Sequence, residues 1–169
     1  HLHMILFIIA NLFMIITGLP QTESVNTEVL DLGSDESSCS NFTDFPRQTG
    51  GAIGALVKNK PLICGGNDNN SDDCFLYQNG EFTPLINKMF KKRDSASSII
   101  INNKLWVTGG KDNSLLVVHN STEYIDINKE GTEVTVEPGP DLPTPLVYHT
   151  IMFINQSYAM VIGGWTAYN

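Results

Sequence analysis

Apolar and polar positions follow one pattern three times along the chain. The first copy runs Leu56-Val57, a polar turn Lys58-Asn59-Lys60, then Pro61-Leu62-Ile63-Cys64 and Gly65-Gly66. The second runs Ile100-Ile101, Asn102-Asn103-Lys104, Leu105-Trp106-Val107-Thr108 and Gly109-Gly110. The third runs Phe153-Ile154, Asn155-Gln156-Ser157, Tyr158-Ala159-Met160-Val161-Ile162 and Gly163-Gly164. Two apolar runs split by a short Asn-bearing turn predict a β-hairpin in each copy. The pairs stand 44 residues apart (65 to 109) and then 54 (109 to 163). A further pair, Gly50-Gly51, follows polar Gln48-Thr49 and ends no apolar strand, so it is not counted with them.

The stretches between the pairs repeat as well. After the second pair, Ser121-Thr122-Glu123-Tyr124-Ile125-Asp126-Ile127 alternates as a third strand, and Thr132 to Val136 supplies a fourth. After the first pair, Asp73-Cys74-Phe75-Leu76-Tyr77 and Phe82-Thr83-Pro84-Leu85 take the same two places, split by Asn79-Gly80. No stretch after residue 20 carries a 3.6-residue apolar period. The fold class is therefore all-β, built of four-stranded antiparallel meanders. Such a unit cannot bury both of its faces, so neighbouring units must stack. The glycine pairs end the second strand, where chains crowd and positive φ is needed.

These residues resemble the kelch repeat. Gly65-Gly66, Gly109-Gly110 and Gly163-Gly164 are the repeat-defining glycines, and Glu123-Tyr124 is similar to the family's third-strand mark. Arg93 falls where the family often has Arg, and His149 is expected to take that place in the last unit. The fourth-strand Trp of the family is absent, with Phe82 standing in once and nothing aromatic near Val136. The resemblance implies kelch-type β-propeller blades over residues 45–169. Two nearly complete units and one hairpin are too few to close a ring, so the propeller is expected to be incomplete in this chain, as a fragment would be.

The first twenty residues carry no Lys, Arg, Asp or Glu, and Met4 to Ile16 is apolar apart from Asn11. That length suits the h-region of a signal peptide and is short for a membrane span. Residues 1–20 are read as a secretory signal, with an uncleaved anchor as the alternative, and residues 21–44 as an acidic, Ser-rich segment. Secretion makes the sequons at Asn41, Asn69, Asn120 and Asn155 glycosylation candidates. It also makes the three cysteines candidates for pairing. Cys64 and Cys74 bracket a short polar loop and are expected to bridge. Cys39 is left over, expected to pair with a residue beyond the C-terminus of this sequence or to be a buried free thiol.

A formal net charge of −8 argues against nucleic acid and anionic membranes as partners. Lys91-Lys92-Arg93, with Lys88 before it, reads as a solvated turn. His119 and His149 lie in different repeat positions without further ligands nearby, so no metal is expected. Asp68-Asn69-Asn70-Ser71-Asp72-Asp73 opens like a calcium loop but lacks the sixth-position Gly and the twelfth-position Glu. No catalytic constellation and no cofactor motif emerges. The reading is a secreted binding or scaffold propeller for a protein partner, without catalysis, with Asn67–Asp73 and Lys111–Ser121 as candidate surfaces. A galactose-oxidase-like copper enzyme and an intracellular ubiquitin-ligase adaptor are the alternatives.

Overall fold

The computed structural model describes residues 43–166, apart from 70, 129, 132 and 156, together with the strands β1 Met4–Ile9, β2 Leu12–Thr17 and β3 Thr27–Asp31. These three strands form an antiparallel sheet in the order β1-β2-β3. Every other described element is also a strand or a turn, as the missing helical period requires.

The first complete unit consists of β4 Ile53–Val57, β5 Lys60–Cys64, β6 Cys74–Gln78 and β7 Glu81–Pro84, hydrogen-bonded in chain order. The second consists of β8 Ser97–Ile101, β9 Lys104–Thr108, β12 Thr122–Ile127 and β13 Val134–Pro138, in the order β13-β12-β9-β8. Between its second and third strands, β10 Lys111–Asp112 and β11 Val117–Val118 make a small hairpin that alternation did not suggest. A third hairpin pairs β14 Val147–Asn155 with β15 Tyr158–Trp165. Each four-stranded meander expected from the sequence is present. The fourth strand of the second unit starts two residues later than Thr132.

Three turns show how sequence sets register. Lys58-Asn59, Asn79-Gly80 and Asn102-Asn103 each connect two strands through two residues, all at positive φ. That is the turn geometry whose twist matches paired strands, and Asn and Gly tolerate it best. The register then places Ile53 against Cys64, Ser97 against Thr108 and Thr150 against Ile162, each partner lying just before a glycine pair.

The main core lies between the two complete units. Val57, Leu62 and Leu76 of the first pack with Leu105, Val107, Ile125 and Ile127 of the second, all of them buried. The other face of the first sheet is closed by Phe45, which packs edge-on against Phe75 and Phe82 with Ile63 beside them. Burial on both faces explains why Leu62, Ile63 and Cys64 are apolar in succession rather than alternating. The Sγ atoms of Cys64 and Cys74 are bonded across the β5–β6 pair, with both residues buried. A disulfide fits an oxidising compartment. Among the described residues no helix is long and apolar enough to cross a membrane.

Candidate functional site

At one end of the units, the first two glycine pairs each meet the link that leads to the next unit. The second glycine donates its N–H across that boundary: Gly66 to the Arg93 carbonyl at 2.9 Å, and Gly110 to the Leu146 carbonyl at 2.8 Å. A Cβ on Gly65 or Gly109 would fall on those same carbonyl oxygens. A side chain would thus break the joint, which is why the strand ends on glycine. A second relay runs beside the first. Ser95 N–H donates to Gly51 O at 2.9 Å, and Tyr148 N–H donates to Ser95 O at 3.0 Å. Gly51, Ser95 and Tyr148 are equivalent by register, and all three have φ between 55 and 64°. Gly51 therefore belongs to the repeat, although no apolar strand precedes it.

The links also bind the loops that leave the glycine pairs. Met89 and Arg93 donate their N–H groups to Asp72 and Ser71, while Leu142 and Leu146 donate to Asn120 and His119. The loops 67–73 and 111–121 consequently share one end of the units with the links, held by backbone rather than by side chains alone.

Two arginines fasten this end. Arg93 is almost wholly buried and donates Nε to Glu123 Oε1 at 2.6 Å. It also donates to the carbonyls of Gly109 and Ser121 and to Ser121 Oγ. Glu123 Oε2 in turn accepts the Phe90 N–H at 2.7 Å. Burial pulls the Arg93 guanidinium below its ordinary range, and Glu123 opposes that pull. The solvated turn expected for Lys91-Lys92-Arg93 is corrected here: Lys91 is exposed, but Arg93 turns inward because Glu123 and two carbonyls neutralise and bind it. Arg47 does the same work in the first unit. It donates to Gly65 O at 2.9 Å, pairs with Asp68 and Asp73, and lies over the Phe75 ring. The sequence offered Arg47 no motif, because it stands two register positions before Arg93's equivalent, Thr49.

His149 does not occupy the Arg93 position. Register gives that position to Leu146, whose carbonyl takes the Gly110 bond just as Arg93 takes the Gly66 bond. His149 is buried three residues later, with Nε2 2.7 Å from Thr108 Oγ1, and burial lowers its pKa. His119 is half-buried beside the Lys92 carbonyl; burial first, then Arg93, lowers its pKa. Among the described residues no three His, Cys, Asp or Glu side chains converge as metal ligands. The loop carboxylates of Asp68 and Asp73 are taken by Arg47, and those of Asp72 and Asp73 by Lys88.

Of the sequons, Asn69 is exposed in a turn and Asn155 is exposed at the end of β14, whereas Asn120 is half-buried with its amide directed to the Leu142 carbonyl. Asn41 and Cys39 lie outside the described residues. Gly163-Gly164 lies near the end of β15, which runs on to Trp165. Gly164 crowds His149 Cβ, but nothing lies within 4 Å of a Cβ on Gly163. That site is the one its equivalents Gly65 and Gly109 press against the following link.

No family model matches the chain, and no curated protein matches it. A solved structure does. The chain is similar in fold to YjhT, with a TM-score of 0.70 at 13% identity, over 89% of this chain and 53% of that one. The chain thus spans about half the length of this neighbour. At such identity the likeness is one of fold.

Proposed function

We propose that this chain is part of a secreted kelch-type β-propeller that acts as a protein-binding scaffold and does no catalysis of its own. The observation that carries the reading is the repeated joint: equivalent glycines and carbonyls fasten one unit to the next, and an arginine before each complete unit bonds the carbonyl of that unit's first paired glycine. The joint also gathers the loops 67–73 and 111–121 at the same end. A rigid array of sheets that holds variable loops together is the architecture of a recognition surface. The fold likeness to YjhT, across about half of that chain, supports a larger assembly of such units. The Cys64–Cys74 bridge and the exposed sequons Asn69 and Asn155 support an extracellular setting. Fold alone does not assign activity, so the test addresses activity directly.

The chain should be expressed with its own leader in a secretory host. The expected result is protein in the medium that shifts on endoglycosidase treatment. It should release no hydrogen peroxide when supplied with copper and galactose. Copper-dependent peroxide release would favour an oxidase. Retention in the cytosol without a glycan would favour an intracellular adaptor.

A further inference from the structure

One cleft at the loop-bearing end breaks the repeat in its chemistry while keeping its backbone. The position held by small, buried Gly51 and Ser95 in the first two units is Tyr148 in the third hairpin, where 47% of the residue is exposed at φ 55°. A bulky residue in the left-handed region is strained, and such strain concentrates where a side chain must be held in place for binding. The position following the glycine pair changes too. It is Asn67, then Lys111, then Trp165, which is 59% exposed. The Tyr148 and Trp165 rings stand 6.4 Å apart at 72°. With the β10–β11 hairpin they enclose a cavity of about 420 Å³, also lined by Asp112, Asn113, Leu116 and Val147.

The electrostatics of this cleft point to a cation. Lys111 Nζ already lies 5.8 Å from the Tyr148 ring centre, so the ring face accommodates positive charge. That ammonium is paired with Asp94, which also accepts a bond from Asn113. Asp112 is a second carboxylate, 7% exposed, and its Oδ1 collects bonds from Ser114 and Leu115 that leave Oδ2 unused. Burial alone would raise its pKa, but those bonds outweigh burial and hold it below the usual carboxylate range. Asp94 and Lys111 thus satisfy each other, and Asp112 is the carboxylate that lines the cleft itself. The Lys92 charge also favours the ionised form of Asp112. The nearby Lys92 amine is bonded to the Asn69 carbonyl. The chain as a whole carries −8, which draws positive partners to it.

We infer that the cleft between the β10–β11 hairpin and the Tyr148–Trp165 pair binds an arginine or lysine side chain of a partner protein. The cation stacks on the two rings and its N–H groups reach Asp112 and Asn113. This deepens the protein-binding reading and rests on it. The probe is an acetylated octapeptide alternating Arg and Gly, titrated into the full chain by calorimetry and tryptophan fluorescence. Peptides with Glu or Ser in place of Arg are the controls. The Arg peptide is expected to bind about tenfold more tightly than either control, as a desolvated cation–π contact implies. Tyr148→Gly and Asp112→Asn should each remove that preference. Tyr148→Gly should keep or raise the thermal midpoint, because glycine suits the backbone and the first unit already uses it there.

Equal binding of the three peptides, preference for the Glu peptide, or undiminished Arg binding by Tyr148→Gly would overturn the assignment. Undiminished binding would leave the protein-binding reading standing and remove only the cleft. Copper-dependent oxidase activity would remove the broader reading while a Tyr148-dependent Arg preference still stood.

Discussion

Gly109 has no room for a methyl group, because the Leu146 carbonyl and the His149 ring occupy that space. Gly163 has the same sign of φ and open space around it. Gly109→Ala is therefore expected to cost about 2–4 kcal/mol, from overpacking added to backbone strain. Gly163→Ala should cost only about 1–2 kcal/mol, the left-handed strain alone. Urea unfolding of the two variants checks the difference. The Cys64–Cys74 bridge closes a loop of short span, and Cys74→Ser should destabilise the chain by about 2–3 kcal/mol under non-reducing conditions. The histidines give a pH signature. Burial depresses the pKa of His149 and of His119 in the folded chain, so the unfolded chain takes up protons first as pH falls. Their contribution is whole above the ordinary histidine range, near pH 6.5, and is lost as pH falls below it. Urea midpoints at pH 7.5 and at pH 5 should differ less in His149→Gln than in the parent chain.

Among the elements, the strands and turns were the most legible part of the sequence. The runs Leu62-Ile63-Cys64 and Leu105-Trp106-Val107 announce themselves by β-branched and apolar content, and Asn79-Gly80 by its turn chemistry. The Gly65 and Gly109 pairs are placed correctly because close backbone approach leaves glycine as the only fit. The joint between units was less legible, since it runs through backbone carbonyls that no side chain advertises. Arg93 reads as solvated in the sequence because charge runs usually are, and only the distant Glu123 makes it a buried ion pair. Arg47 carries no mark in the sequence because its register differs from that of Arg93, although its guanidinium reaches the equivalent Gly65 carbonyl. His149 takes a different place because strand register, rather than the residue count back from the glycine pair, sets equivalence, and the third hairpin carries a register shift between Phe153 and Asn155. The buried pair has a clear consequence. Arg93→Met leaves Glu123 uncompensated in the joint and should cost about 3–5 kcal/mol by thermal or urea unfolding.

At the scale of the molecule, two four-stranded sheets share one core, and the third hairpin adds to the second unit through Ser95–Tyr148 and Thr108–His149. Its outer surface differs from theirs. Met152, Phe153, Tyr158, Met160 and Ile162 are about half exposed or more, whereas the corresponding strands of the complete units are packed. This is the surface that a neighbouring sheet covers in stacked units. The unoccupied space at Gly163 lies where the next link would bond. Length and repeat count made this shape legible in the sequence, and the tyrosine and tryptophan of the third hairpin did not stand out until register aligned them with Gly51 and Asn67.

A crystal structure of the protein isolated from its native source tests the central claim most directly. The expected result is a closed ring of four-stranded sheets, with the N–H of Gly66, Gly110 and Gly164 each bonded to the link that opens the following sheet. An open two-sheet sandwich, or a third hairpin whose Gly163-Gly164 joint meets no further sheet, would contradict it.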